Sequence, residues 1–226
     1  MSQDAIQRYI KENGDRFLQE LKEYLRIPSI STDSEYKDEV MRCASWLADH
    51  IERIGFEKAD VVETQGHPIV YAEQIQSPDA PTVLIYGHYD VQPPDPLELW
   101  DSPPFEPTIR DGKIFARGAT DDKGQLFAHI KGLEAHLAVT GELPVNVKLL
   151  IEGEEEVGSP SLDPWVRQNQ ERLECDSVVI SDSAMFEPGL PTITYGLRGL
   201  TYFEVRVTGP DHDLHSGLYG GAVPNP

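Results

Sequence analysis

Cysteine, basic side chains and long apolar runs are all scarce in this 226-residue sequence. The two cysteines, Cys43 and Cys175, are too far apart for a metal-binding CxxC pair, so we expect reduced thiols and a cytoplasmic protein. Only 19 Lys and Arg oppose 39 Asp and Glu, and the formal charge of −20 argues against nucleic acid or an anionic membrane as a partner. No apolar run approaches the roughly 20 residues of a membrane span, and the first residues lack the apolar core of a signal peptide. The excess of acid instead permits a site that gathers carboxylates around a cation.

What the sequence does contain is a regular alternation of helical and strand patterns. Apolar residues at helical spacing predict helices over residues 4–25 and 37–54. Further helices are predicted over 123–140 and 162–170. Short apolar or β-rich runs predict strands at 60–63, 69–73, 82–86, 145–152 and 177–181. A proline-rich stretch over 91–112 is predicted to be a long ordered loop. This alternation predicts an α/β fold with a mostly parallel central sheet.

The pattern changes near Thr192, where the run TITYGLRGLTYFEVRVTG indicates antiparallel β structure. We therefore predict a domain boundary near Gly199. Residues 1–198 would form one α/β domain, and residues 199–226 would begin a second domain.

Four polar segments each follow a buried strand or open a helix, and each carries His, Asp or Glu. They are GHYDVQPP at 87–94, RGATDDKGQ at 117–125, EGEEEVGS at 152–159, and Asp182. Loops at the carboxyl ends of strands in an open α/β sheet converge on one crevice. We therefore expect these segments to meet, although they are far apart in the sequence.

Each segment alone also has a simpler interpretation. His88 and Asp90 could bond only to backbone, Asp121 and Asp122 could begin a helix, the glutamates could form a solvated loop, and Asp182 could cap a turn. Together, one imidazole and several carboxylates predict a zinc-like cation site, rather than a magnesium site built from oxygen alone. A further carboxylate beside such ligands suits a general base that activates water.

These segments, together with WDSPPFEPTIRDGKIFARGATDDKGQ, VISDS and DLHSGLYGG, resemble in the same order the M20 family of metallopeptidases. The resemblance spans about residues 80–226 and is closest to the dipeptidase and carnosinase-like branch. It implies a zinc-peptidase-like three-layer sandwich, followed by the start of an α+β lid and dimerisation domain. It also implies two zinc ions per active site, with Mn²⁺ or Co²⁺ as alternatives, and a homodimer.

The resemblance also implies a role for each site residue. His88, Asp121 and Asp182 match the ligands of one metal, and Asp121 matches the carboxylate that bridges to the second. The peptide between Asp121 and Asp122 is often cis in the family. Asp90 matches the acid that braces His88.

The glutamate-rich segment has an ambiguous register because Glu154 precedes the two glutamates expected by the family pattern. Alignment on the Gly-Ser pair that follows assigns Glu155 as general base and Glu156 as a ligand of the second metal. His215 matches a histidine that the second domain offers to a neighbouring subunit's site, where it steadies the oxyanion. A surface-loop histidine is the simpler alternative.

The family's last histidine ligand and its substrate-binding arginine match no position among the 226 residues. We therefore expect the N-terminal part of a longer enzyme that hydrolyses dipeptides or small peptides. Two alternatives stay open at this point. The protein could be an N-acyl amino acid deacylase of the same fold, or the chain could be an inactive fragment.

Overall fold

The computed structural model describes residues 3–223, which divide into two compact units, Met1–Ala184 and Met185–Pro226. The α-helices of the described part are Gln3–Glu12 (α1), Gly14–Leu25 (α2), Lys37–Arg53 (α3), Lys123–Thr140 (α4), Leu162–Gln168 (α5) and Ser216–Tyr219 (α6). The strands are Ala59–Val62 (β1), Ile69–Gln74 (β2), Thr82–His88 (β3), Thr108–Arg110 (β4), Lys113–Phe115 (β5), Asn146–Glu152 (β6) and Ser177–Ile180 (β7). No helix in this part is long and apolar enough to cross a bilayer.

The central sheet of the first unit has five strands in the order β1-β2-β6-β3-β7. Strand β3 pairs in parallel with both β6 and β7, whereas β2 pairs antiparallel with β1 and β6. The α/β class is therefore confirmed, but the sheet is mixed rather than mostly parallel. The short connection between β1 and β2 explains this difference, because a parallel pair needs a much longer crossover.

Helices cover both faces of this sheet, so the three-layer arrangement is confirmed. Alternate side chains of β6 point to opposite faces, as expected for a strand. Leu149 belongs to the main core with residues of α3 and α4, and Leu150 belongs to a smaller cluster with Leu162 and Trp165 of α5. Every residue of β6 is buried, including the polar residues Asn146, Lys148 and Glu152, whose side chains form hydrogen bonds.

Two predicted segments differ in detail. The helix expected over 4–25 is interrupted at Asn13, beside Gly14, whose helix propensity is low. The loop expected over 91–112 ends in a two-stranded ribbon of β4 and β5. Both strands of the ribbon are only three residues long and largely exposed, so their sequence carries little buried apolar pattern.

In the second unit, the predicted antiparallel strands of 192–209 are absent from the described residues. The β-type sequence pattern is present, but a strand also needs a neighbour for its backbone N–H and C=O groups. The side chains of Tyr195, Leu197 and Tyr202 in this run are exposed. The boundary at Gly199 stays a prediction.

Candidate metal centre

The parallel strands bring their carboxyl ends to one edge of the sheet. His88 is the last residue of β3 and pairs with Glu152, the last residue of β6. On the other side of β3, Tyr86 pairs with Ile180, the last residue of β7. Asp182 follows β7 by two residues. The mixed sheet thus still provides the crevice at strand ends that the sequence predicted.

His88, Asp121 and Asp182 meet at this edge. His88 Nε2 lies 3.2 Å from Asp121 Oδ1 and 3.7 Å from Asp182 Oδ2. One ligand atom from each of the three residues lies within 4.8 Å of the others. His88 is buried, and its Nε2 has no hydrogen-bond partner among the described residues. An unpartnered imidazole nitrogen facing two carboxylate oxygens fits a zinc-like ion.

Asp121 reaches this position from the turn before α4. The peptide between Asp121 and Asp122 is cis, as the resemblance implied. Asp122 is the N-cap residue of α4 and is buried, and its Oδ2 accepts the backbone N–H of His88 at 3.2 Å. The two adjacent aspartates therefore contact His88 in different ways. Asp121 faces the ring, whereas Asp122 holds the strand.

The charges at this edge favour a cation. Burial opposes a charge on the His88 ring, but the surrounding carboxylates, Asp90 foremost, outweigh burial and raise the pKa of His88 to about 10. Burial, together with the charges of Asp182 and Asp121, raises the pKa of Asp122 to about 7. Both shifts indicate an excess of carboxylate that a proton or another cation would relieve.

The Asp90 carboxylate connects His88 to the glutamate-rich turn. The ring of His88 places Nδ1 3.1 Å from the Asp90 carbonyl oxygen and 3.4 Å from Oδ1. The same carboxylate accepts the backbone N–H groups of Glu155 at 3.2 Å and of Glu156 at 3.1 Å. Asp90 therefore braces the ring and also holds the backbone from which Glu155 and Glu156 project.

Two of the four glutamates in that segment are occupied by structural hydrogen bonds. Glu152 accepts the hydroxyls of Tyr86 and Ser159 at 2.5 and 2.8 Å. Glu154 is buried, and its carboxylate accepts two backbone N–H groups, one from residue 67 and one from residue 161. Both oxygens of the Glu154 carboxylate are thus engaged with backbone, whereas Oε2 of Glu152 is buried without a hydrogen-bond partner among the described residues. The assignment of Glu155 and Glu156 to the site stays a prediction.

Glu155 and Glu156 differ in how they are held. The Gln92 amide donates to the Glu156 carboxylate at 2.9 Å and to its carbonyl oxygen at 3.1 Å. Among the described residues, the Glu155 carboxylate accepts no hydrogen bond. Burial raises the pKa of both carboxyl groups. Glu156 lies outside the close cluster formed by His88, Asp121 and Asp182.

Sequence reasoning missed two side chains that support the site. Gln92 lies in the segment GHYDVQPP, for which only His88 and Asp90 were predicted to take part, and Ser31 lies between two predicted helices, in a segment with no predicted role. The Ser31 hydroxyl donates to the Asp90 carboxylate, and Ile30 forms a bridge with Val91. No spacing rule marks such residues, because their partners come from distant parts of the chain.

His215 lies in the second unit, where it caps the short helix α6. Its Nδ1 accepts the backbone N–H of Gly217 at 3.0 Å. A neutral ring bonded in this way carries its proton on Nε2, and that N–H is the donor that an oxyanion would need.

A second cluster of potential ligands, formed by Glu20, His50 and Glu134, already contains an internal cation. Lys131 Nζ lies 2.7 Å from His50 Nε2, 2.7 Å from Glu134 Oε2 and 2.5 Å from Glu20 Oε2. The ammonium group takes the place that a metal would need. We therefore treat this cluster as a buried ion network between helices.

The comparisons with known proteins agree with this geometry. Residues 84–215 match the family model described as "Peptidase family M20/M25/M40". The chain is 38% identical to the Cys-Gly metallodipeptidase dug1 of Schizosaccharomyces pombe, over 100% of the chain and 50% of that protein. It is 38% identical to the human Beta-Ala-His dipeptidase, over 99% of the chain and 47% of that protein.

The same relationship is seen among solved structures. The crystal structure of human carnosine dipeptidase 1 superposes with a TM-score of 0.81 at 35% identity, covering 97% of this chain and 49% of that one. The chain thus spans about half the length of the relatives it matches.

Proposed function

The chain belongs to peptidase family M20/M25/M40, and from this premise we propose that the full-length protein is a metal-dependent peptidase that hydrolyses dipeptides. The observation that carries the proposal is the Nε2 of His88, which faces Asp121 and Asp182 and has no hydrogen-bond partner among the described residues. The charge of Glu155 also acts on the pKa of His88. The two curated relatives described above are named as dipeptidases, which favours this substrate class over N-acyl amino acids.

Zinc is the ion we propose, because imidazole nitrogen and carboxylate oxygen are its usual ligands in hydrolases. His88, Asp121 and Asp182 would hold one ion, and Asp121 and Glu156 would contribute to a second. When bound, such ions lower the pKa of water toward about 7 and polarise a carbonyl group.

The chain's own residues would then orient the groups and move the proton. Asp90 keeps the His88 ring in position through Nδ1, which leaves Nε2 directed at the cluster. A Glu155 carboxylate oxygen would take a proton from the attacking water. At the same time the water oxygen would form a bond to the scissile carbon. The same proton would pass to the leaving nitrogen as the C–N bond breaks. Burial raises the pKa of Glu155, which brings it closer to the value that suits this exchange.

We extend the proposal to the assembly and the location of the protein. A homodimer formed through the second unit would let His215 donate its Nε2–H to the oxyanion of a neighbouring subunit. Exposed apolar side chains such as Tyr195 and Tyr202 support an interface in that unit. The molar mass of the full-length protein in solution tests the dimer.

Both cysteines are free thiols, which supports a reducing, cytoplasmic compartment.

Replacement of Glu155 tests the function. We expect Glu155→Ala in the full-length enzyme to abolish hydrolysis of Cys-Gly and β-Ala-His while its zinc content persists. Glu171→Ala, which removes a carboxylate outside the site, is the matched control and should leave both unchanged. Hydrolysis of an N-acetyl amino acid in preference to the dipeptides would replace the dipeptidase proposal with a deacylase. Retained dipeptide turnover in Glu155→Ala would refute the role of this residue.

A further inference from the structure

Asp182 is, like Asp121, a weakly supported member of the metal-binding cluster. It follows β7, which is an edge strand, and it is exposed. Among residues 3–223, no donor hydrogen-bonds to its carboxylate, whereas Asp90, Asp122 and Glu156 each accept hydrogen bonds. The position of the Asp182 side chain therefore depends on how the backbone just before it is held.

The residue before Asp182 is held through its side chain by a residue of α4. His129 Nε2 lies 2.5 Å from the hydroxyl oxygen of Ser181, the residue immediately before Asp182. His129 is partly buried, and burial lowers the pKa of its ring, so it is neutral near pH 7. The contact is thus a hydrogen bond between a neutral ring and a hydroxyl, and it joins the end of β7 to α4.

Helix α4 is thereby linked to two ligands of the same cluster. Asp121 lies just before its first turn, and His129 lies about two turns further along. A change in the position of α4 relative to β7 would move Asp121 and Asp182 relative to each other. The His129–Ser181 bond resists that change at the β7 side of the cluster.

We propose that His129 is a positioning residue for metal binding, which acts through Ser181 to place the Asp182 carboxylate opposite His88. This inference rests on the proposed function, because it takes Asp182 to be a ligand. Outer residues that orient ligands typically contribute about 10-fold to 100-fold in metal affinity. A residue that only fills space under β7 would change stability without changing metal affinity.

The test measures the Zn²⁺ dissociation constant of the full-length protein by competition with a chromophoric chelator. We expect His129→Ala to weaken Zn²⁺ binding by about 10-fold. His136→Ala is the matched control, since it removes the same ring from the same helix away from Ser181, and it should bind Zn²⁺ as the wild type does. Ser181→Ala, made on the loop side, should reproduce the His129→Ala effect. The double variant should be no weaker than either single variant, because both remove one bond.

The outcomes separate this inference from the proposed function. If Asp182→Ala leaves Zn²⁺ binding unchanged, the ligand assignment and the role of His129 are both refuted. If Asp182→Ala loses Zn²⁺ but His129→Ala binds it as tightly as His136→Ala, only the role of His129 is refuted. Additive losses from His129→Ala and Ser181→Ala would also refute it. If His129→Ala fails to fold, Ser181→Ala takes its place: weaker Zn²⁺ binding in that variant supports the role of His129, and unchanged binding refutes it.

Discussion

The hydroxyl of Ser31 donates a 2.6 Å hydrogen bond to Asp90 Oδ2, across 59 positions of the sequence. Asp90 in turn braces the ring of His88 and accepts the N–H groups of the glutamate-rich turn. The bond therefore ties the segment before α3 to the group that orients both the metal ligand and the proposed base. Among the described residues the Ser31 hydroxyl bonds to no ligand of the cluster, so its effect on catalysis would pass through Asp90.

Ser31→Ala should lower kcat/KM for dipeptides by about 10-fold, because the Asp90 carboxylate loses a hydrogen bond that fixes its orientation. Steady-state kinetics of the full-length enzyme provide the measurement. Ser45→Ala is the control, because Ser45 is exposed on α3 and donates only to the carbonyl of Met41. Equal values of kcat/KM for the two variants would show that the Ser31 hydrogen bond does not fix the orientation of the Asp90 carboxylate.

Glu154→Ala should reduce stability, whereas Glu155→Ala should not. The buried Glu154 carboxylate accepts two backbone N–H groups, and its removal leaves both without a partner. We expect the free energy of unfolding to fall by about 3 kcal/mol, measured by urea denaturation of the metal-free protein. Glu155 makes no such bonds and is the matched control one residue away. A larger loss from Glu155→Ala would reverse the register that we assign to this turn.

The sequence predicted those parts of the molecule that depend on local pattern. The bounds predicted for α4 are those observed, Lys123–Thr140, and the helix ends at Gly141 in the left-handed conformation, a signal local to the chain. The meeting of His88 and Asp182 was also predicted, because a general rule places the carboxyl ends of parallel strands at one edge, and Asp121 joins them from the turn before α4. The roles proposed for these residues stay predictions.

Features that depend on distant partners were not predicted. The antiparallel pairing of β2 with β6 and the bond from Ser31 to Asp90 each join segments far apart in the chain. The run at 192–209 shows the converse case. Its alternating apolar residues fit a strand, but no strand forms among the described residues, since pairing requires a second segment.

Gly87→Ala should disturb the metal centre through Asp122. A Cβ at this position would lie 2.7 Å from Asp122 Oδ2 and 3.3 Å from Leu126 Cδ1. The aspartate that holds the His88 backbone would have to move, so we expect weaker Zn²⁺ binding and a loss of about 1–3 kcal/mol in the free energy of unfolding. Gly132→Ala is the control, because an added Cβ there meets nothing within 4 Å, and alanine favours a helix. Unchanged Zn²⁺ affinity in Gly87→Ala would contradict this account.

The stability of the helical layer should depend on pH through His50. Its ring is only 2% exposed, with Lys131 Nζ 2.7 Å from Nε2 and an Arg53 nitrogen 3.0 Å from Nδ1. Glu20 and Glu134 also face this network, and their charges partly oppose the effect of the cations. Burial first, and then the charge of Lys131, lower the pKa of His50 to about 4.

In the unfolded chain the pKa of a histidine is about 6.5, which is above the value for His50 in the folded protein. Between these two values the unfolded state binds a proton that the folded state does not. The contribution of His50 to the free energy of unfolding is therefore complete above about pH 6.5 and is lost as the pH falls toward 4. At pH 5.5 the loss is about 1.4 kcal/mol. Urea unfolding of the wild type and of His50→Gln at pH 7.5 and 5.5 measures it. The wild type should lose more stability than the variant by about that amount. Equal losses in the two proteins would mean that His50 accepts a proton inside the folded layer, and the ammonium of Lys131 would then have to move away from the ring.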